Sequence, residues 1–559
     1  MKAKLADGGA GLPAWWLLAL ICTGAAVLLA ILGGRLTFFN DEWYIVLQRP
    51  GFDVDAILEP HNEHLIALVV VAYKGLIAVF GLESQLPQHL LLVCAVIALG
   101  IVVFVYVRER AGNLLALLAA AVLLFLGPGW EDLLWPFQVG FTGSLAAGVG
   151  MLLAIERDSL RRNLIATLLL LLAISISDLG IAFLVAAAIA VLLRGRTSQL
   201  WIPGIPSVLF AAWWLAYGSD ASSNLSLTNI ARLPVYVLDS ISSGLASIAG
   251  LAHPLADPAT AFPWGRLLLV LAIVGTAAWL LRGGRPSPGV LVIAGAALTF
   301  WLLAGASYIP GREPQVSRYQ LVSSTFLILI AAELFRPVRI GSAGLGAISA
   351  IAVVAIGSNL EELRTGYTFL RSRSANAKAA LGGLEIGRGR FPAELRLVEA
   401  ISPDSHLAGI TAGSYYRETE AHGALPFYSP DQISAAPPEL RQAVDKILVV
   451  GYAVRLAKAP RGIEGAVCRH PEPRLDGAPR DLVLPSGETL IVNRGAGPVD
   501  LGVRRFAPPP LPVMVGTLGV DHAATLRIPA DSAGLPWHLS LRGASLVEAC
   551  RLTRLRRAS

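Results

Sequence analysis

The sequence predicts an α-helical, polytopic membrane protein that carries a β-sandwich-like domain towards its C-terminus. Three observations predict it. Hydrophobic residues make up 55% of the 559 and charged residues only 15%, where soluble domains run near a quarter charged. Up to about Gly357 the chain is a succession of apolar blocks with short polar joints, and from about Asn359 it has the composition of a soluble sequence. From Arg461 onwards apolar residues alternate between turn signals, the pattern of short strands. The expected organisation is a transmembrane domain over 1–357, a mixed helical connector over 358–460 and a β-rich domain over 461–559.

Eleven blocks are read as spans of a hydrocarbon layer about 30 Å thick. They fall near 14–34, 87–107, 113–127, 138–155, 162–176, 179–194, 199–217, 265–282, 288–306, 319–335 and 340–357. The first follows a basic start, Met1 to Lys4, and its apolar run is too long for a signal-peptide core, so it reads as an uncleaved signal anchor. Two further apolar stretches, 64–82 and 235–252, decide the topology. With Lys2 and Lys4 cytoplasmic and these two stretches left outside as juxtamembrane or re-entrant helices, the clusters Arg108/Arg110, Arg157/Arg161/Arg162, Arg194/Arg196, Arg282/Arg285 and Arg336/Arg339 all fall inside. Counting 64–82 as a span moves most of them outside, so the arrangement that keeps them together is preferred. The expected location is the cytoplasmic (inner) membrane, with the C-terminal domain extracytoplasmic.

That topology sorts the acids, which played no part in building it. Asp41, Glu42, Asp53, Asp55, Glu59, Glu63, Glu131, Asp132, Asp178 and Glu313 fall in outer loops, against little more than Glu109, Glu156 and Asp158 inside. The outer face is therefore the working face. The formal charge of +6 comes mainly from arginines at block ends, and no basic stripe with interleaved aromatics points to nucleic acid.

Past Gly357 a helical pattern continues through LEELRTGYTFLRSRSANAKAALGGL. The strands then follow in DLVLPSGETLIVNRG, VDLGVRRFAP, HAATLRIPADSAGLPWHLSLRG and ASLVEACRL, with APPPLP at 507–512 as an extended connector. Cys22 and Cys94 read as small packing residues of membrane helices. Cys468 and Cys550 bracket the strand-rich region on the oxidising side; a disulfide between them and a pair of buried thiols are the two readings.

Four constellations are candidates for chemistry. Asp41-Glu42 follows the first span, and an acid there can take a proton from an attacking hydroxyl; a solvated pair flanking Trp43 and Tyr44 is the plainer reading. EPHNEHLI gathers Glu59, His61, Glu63 and His64, donors suited to a divalent metal ion or a phosphate, with His61 and His64 on one face if the chain is helical from 61. A polar helix start is its plainer reading, and it is not the HExxH signature. GWEDLLWPFQVGF sets Glu131, Asp132 and Gln138 among Trp130, Trp135 and Phe137, either an interfacial belt or a sugar platform. YIPGREPQVSRYQ presents Arg312, Arg318 and Tyr319, and the guanidinium fork matches phosphate oxygens, a stray pair of loop arginines being the plainer reading.

With NDEW opening a long outer loop after the first helix, many further spans and an outer C-terminal domain, residues of about 10–357 resemble the GT-C glycosyltransferases of the protein-mannosyltransferase and aminoarabinose-transferase type. The resemblance implies a polyprenyl-phosphate-linked sugar donor, inverting transfer to a glycan, lipid or protein acceptor, and Asp41 as general base with Glu42 beside it. It also implies Glu131-Asp132 as the second outer acidic motif and Arg318 at the donor phosphate. Where those families commonly carry a His-Pro-Pro-Leu-like stretch, this chain reads EPHNEHLI. Two other classes compete: a lipid-linked-sugar transporter or flippase, which calls for midplane charges and internal repeats, and a non-catalytic envelope protein that binds glycan through 461–559.

Overall fold

The computed structural model describes residues 11–49, 51–220, 224–255, 257–336, 338, 340–401, 405–459, 467–469, 480–531, 533–543 and 546–551. Lys2, Lys4, Arg339 and the Cys468 side chain lie outside the described residues.

Two compact units are present. The first comprises the chain to Leu36, Gly51–Val79 and Gln85–Arg371; the second comprises Thr37–Pro50, Phe80–Ser84 and the chain from Ser372 onwards. The first is a helical bundle. Its helices are α1 (Gly11–Gly33), α2 (Ala67–Phe80), α3 (Leu86–Ala111), α4 (Asn113–Leu124), α5 (Val139–Ile155), α6 (Leu160–Ile176), α7 (Leu179–Leu193), α8 (Trp201–Trp213), α9 (Leu227–Ile248), α10 (Ala261–Leu281), α11 (Gly289–Ala306), α12 (Ser317–Leu334) and, up to Arg371, α13 (Ser342–Ile386). Every one of the eleven apolar blocks is helical.

Among the described residues, seven helices are long and apolar enough to cross a membrane, or eight if α4 and Gly127–Leu134, bent by 47°, are one span. The predicted eleven exceed this because α6 and α7 have 17 and 15 residues, about 26 and 23 Å at 1.5 Å per residue. Helix α12 has 18 residues, but Gln320, Ser323, Ser324 and Thr325 dilute its apolar run. The 14-residue α2 is short for a span, and α9 carries Asn229, Arg232 and Asp239; these are the two stretches the arginine pattern leaves out of the span count. The bend after α4 has a packing reason. A Cβ on Gly127 would come within 1.8 Å of the Asn359 carbonyl oxygen, so only glycine admits that approach.

The second unit ties early segments to late ones. Thr37 N–H donates to Ser374 Oγ at 3.2 Å, Gln48 Nε2 to the Gly409 carbonyl at 2.8 Å, Arg417 Nη2 to the Leu47 carbonyl at 2.8 Å and Leu82 N–H to the His422 carbonyl at 3.1 Å. Helix α14 (Ala412–His422) starts from a capping box between Thr411 and Ser414, and α15 (Pro438–Gly451) leads towards the strands.

These are β1 (Leu456–Lys458), β2 (Val467–Arg469), β3 (Arg480–Leu484), β4 (Gly487–Asn493), β5 (Val499–Arg504), β6 (Val513–Leu518), β7 (Ala523–Ile528), β8 (Trp537–Arg542) and β9 (Val547–Arg551). They form two antiparallel sheets, ordered β1-β7-β4-β9-β2 and β3-β8-β5-β6. The turn at Pro485–Gly487, where Gly487 has φ +115, separates β3 and β4 into different sheets instead of closing a hairpin. Cys550 is disulfide-bonded, its register partner across β2 and β9 is Cys468, and Cys22 and Cys94 are free.

Candidate active-site cavity

The site begins with a four-residue turn. His61 N–H donates to the His64 carbonyl and His64 N–H to that of His61, each at 3.0 Å. Asn62 takes φ +56, a left-handed conformation that asparagine tolerates better than most residues. Helix α2 therefore starts only at Ala67, and the expected helical face shared by His61 and His64 does not form. The turn sends its side chains to different partners. His61 is buried with its ring 5.4 Å from that of Phe137, Glu63 pairs with Arg312 at 2.7 Å, and His64 Nδ1 lies 2.7 Å from Asp178 Oδ2.

Asp178 also accepts the Leu65 N–H at 3.1 Å through Oδ1, so one carboxylate holds both the ring and the backbone of the turn. It sits in the tight joint between α6 and α7, where a Cβ on Gly180 would meet Ile174 backbone at 2.4 Å. Arg312 Nη1 donates to the Ser307 carbonyl at 3.2 Å as well as to Glu63, and its own carbonyl accepts the Tyr236 hydroxyl at 2.9 Å. The four side chains of the two pairs are 13–38% accessible, and at that depth their charges are screened less than at an open surface.

Glu63, His64, Asp178 and Arg312 line a cavity of about 390 Å³. Its walls are aromatic and aliphatic: Phe141 from α5, Phe210 and Trp214 around the end of α8, and Phe300 and Leu303 from α11. Tyr319 lines it too, with ring centroids 5.6 Å from Phe300 and 6.2 Å from Phe141. The cavity can therefore receive an amphiphile whose polar group meets the two ion pairs and whose apolar part meets the rings. Burial opposes charge on His64, but the hydrogen bond and charge of Asp178 outweigh it and hold the imidazole's pKa above its usual value.

The other predicted residues stand elsewhere. Glu131 accepts the Arg318 backbone N–H at the start of α12, and its own N–H donates to Ser317 Oγ. Arg318 donates to the Gly311 carbonyl and lies over the Tyr319 ring. Asp132 is fully buried, with Glu131 and Arg318 as its charged neighbours. Gln138 is buried at the start of α5. Glu59 is exposed and closes the short helical turn Val54–Leu58. Asp41 and Glu42 belong to the second unit: Glu42 is buried and accepts the Phe39 N–H at 2.8 Å, and Asp41 is half-buried in the turn that follows Asn40 at φ +50.

Among the described residues no group of three or more His, Cys, Asp or Glu side chains is placed to hold a metal ion. The Glu59, His61, Glu63 and His64 set does not fit one, since Glu63 and His64 turn to separate partners. The cavity thus unites Glu63, His64, Arg312 and Tyr319 of the predicted residues with Asp178, which stood out little in the sequence. The aromatic walls were not foreseen; the one signal for them was the density of aromatics around Phe141 and in the Trp213-Trp214 pair.

No family model matches this chain, and none of the curated proteins matches it. Among solved structures it is similar to ArnT from Cupriavidus metallidurans in the apo state, with 12% identity, a TM-score of 0.47, and 80% of this chain and 97% of that one covered. Likeness at this level establishes neither a shared family nor an activity.

Proposed function

We propose that this protein is a membrane glycosyltransferase that moves a sugar from a polyprenyl-phosphate donor to an envelope glycan, lipid or protein on the outer face of the cytoplasmic membrane. The observation that carries the reading is the amphiphilic cavity, lined by Arg312 and His64 with their acid partners and by aromatic and aliphatic side chains. A guanidinium and an imidazole suit a phosphate, and rings and leucines suit an isoprenoid chain. Glu63 and Asp178 stand beside these two cations, which keeps the site close to neutral until a phosphate arrives.

In this reading Asp41 takes the proton of the acceptor hydroxyl, whose oxygen then bonds to the anomeric carbon. The bond from that carbon to the phosphate oxygen breaks, its electron pair stays with the phosphate, and configuration inverts. Glu42 supports the loop that carries Asp41. Glu131 and Arg318 shape the start of α12, and no step is assigned to a metal ion.

The test is transfer from a radiolabelled polyprenyl-phosphate sugar by the purified full chain in detergent. Arg312→Ala is expected to raise the donor KM, and Asp41→Asn to remove turnover. If Asp41→Asn turns over like the parent, Asp41 loses its role; if the parent consumes no such donor, the transferase reading fails.

A further inference from the structure

The part played by His64 is defined by the atom that its partner leaves over. Asp178 Oδ2 lies 2.7 Å from Nδ1 and Asp178 Oδ1 accepts the adjacent Leu65 N–H, so the ring is oriented and its Nδ1–H committed. Nε2 is then the polar atom left for a ligand, on a side chain that lines the cavity and is 38% accessible. An Nδ1–H held by a carboxylate sets the orientation of an imidazole for work at its other nitrogen. The residue before it, Glu63, orients Arg312 in the same way at 2.7 Å. Each cation of the cavity is thus aimed by an acid of its own.

We propose that His64 is a donor-binding residue that gives its Nε2–H to the phosphate of the polyprenyl-phosphate substrate, with Asp178 as its positioning residue. This rests on the transferase reading above and adds a second phosphate contact, beside Arg312, from the motif whose role the sequence leaves open. With both nitrogens donating, the ring carries a positive charge. As the sugar carbon parts from the phosphate oxygen and leaves its electron pair there, the imidazolium and the guanidinium share the charge that develops. No proton has to move from His64.

The two amides of similar reach separate this role from a purely structural one. His64→Asn keeps a donor at the position of Nδ1 and loses the Nε2 side; His64→Gln keeps a donor near Nε2 and loses the contact with Asp178. With the full chain in detergent, the expected result is a donor KM close to the parent's for His64→Gln and raised about tenfold or more for His64→Asn, in line with a lost hydrogen bond to a charged group. The opposite order, or equal effects, overturns the proposal and leaves His64 as a clamp for Asp178.

A second measurement needs no variant. Carbethoxylation of His64 in the parent by diethyl pyrocarbonate, read by peptide mass spectrometry, should slow when polyprenyl monophosphate is present. Unchanged labelling overturns the proposal. Equal protection by inorganic phosphate at the same concentration overturns the assignment to a lipid phosphate. Because labelling is read without turnover, a parent that is protected yet transfers no sugar would sink the transferase reading and leave the phosphate contact standing.

Discussion

The carboxylate of Glu131 accepts the backbone N–H of Arg318 at 2.9 Å, and the backbone N–H of Glu131 donates to the Ser317 hydroxyl, also at 2.9 Å. The pair reproduces the reciprocity of a capping box, but its two halves are 187 residues apart in the chain. A negative charge at the first turn of α12 also complements the helix dipole.

Glu131→Ala should therefore lower stability by about 1 kcal/mol, within the range of lost helix caps. The check is the melting temperature of the detergent-solubilised chain. Glu131→Gln, which keeps an acceptor, should recover most of the loss. Recovery of stability without any change in donor KM would mark Glu131 as a cap alone.

Arg312 offers a test of fork against point charge. Arg312→Lys keeps the charge and the Glu63 partner but loses the planar donor set, while Arg312→Ala also leaves the Glu63 carboxylate facing the incoming phosphate. Donor KM should rise in both, by roughly tenfold or more for alanine and less for lysine. A titration of donor against initial rate would show the order, and Glu63→Gln in the alanine background should restore part of the loss.

The pair of His64 and Asp178 predicts a pH dependence for the 61–65 turn. Burial works against the charge on His64, the Asp178 hydrogen bond and charge outweigh it, Glu63 adds to them and Arg312 opposes, for a net pKa above the usual value. A raised folded-state pKa means that the pair's stabilisation is fully present below the unfolded value, about 6.5, and is lost as pH rises through the folded one. Amide exchange at Leu65, corrected for intrinsic rate, should thus become less protected as pH rises above 6.5. Asp178→Asn should flatten that dependence.

In the second unit, Asp445 on α15 accepts the backbone N–H groups of Arg505, Phe506 and Ala507 at 2.8–3.1 Å. Asp445→Ala strands all three buried donors and should cost about 3 kcal/mol or more. Hydrogen exchange over 505–507 in the full chain would report it, together with a lower melting temperature. Asp445→Asn, with a single carbonyl acceptor, should fall between the two.

Helices were legible where a local pattern suffices. Apolar runs such as 87–107 and 288–306 have no polar competitor, and each became a helix near its expected ends. Strands were legible for the same reason, since the alternation around Leu490 or Leu526 is a property of a few residues. Partnership was not. The PSG turn looks like a hairpin signal, yet β3 pairs with β8 and β4 with β7 and β9, choices made by sheet neighbours distant in sequence.

The site shows the same division. Glu63, His64 and Arg312 could be picked out because charges are scarce in an apolar chain. Asp178, a single acid between two apolar blocks, carries no local mark of its role; only the 114-residue contact with His64 reveals it. Arg318 has the right chemistry for a phosphate, but the sequence carries no sign that its guanidinium also donates to the carbonyl of Gly311, seven residues earlier. His61 and His64 would share a face in a helix begun at 61, but Asn62 at φ +56 turns the backbone between them.

The hydrogen bond from Gln48 to Gly409 spans 361 residues, and the Thr37–Pro50 segment that carries Asp41 has its partners there. A ribosome working at 5–20 residues per second needs roughly 20 to 70 seconds to make the stretch between them. For that interval the segment has left the ribosome without the residues it folds against, whereas α1 and α3, only tens of residues apart, can pair at once. The acidic turn is thus among the last parts of the chain to mature. Truncated nascent chains stalled before Gly409 would hold finished membrane helices and an unfinished Asp41.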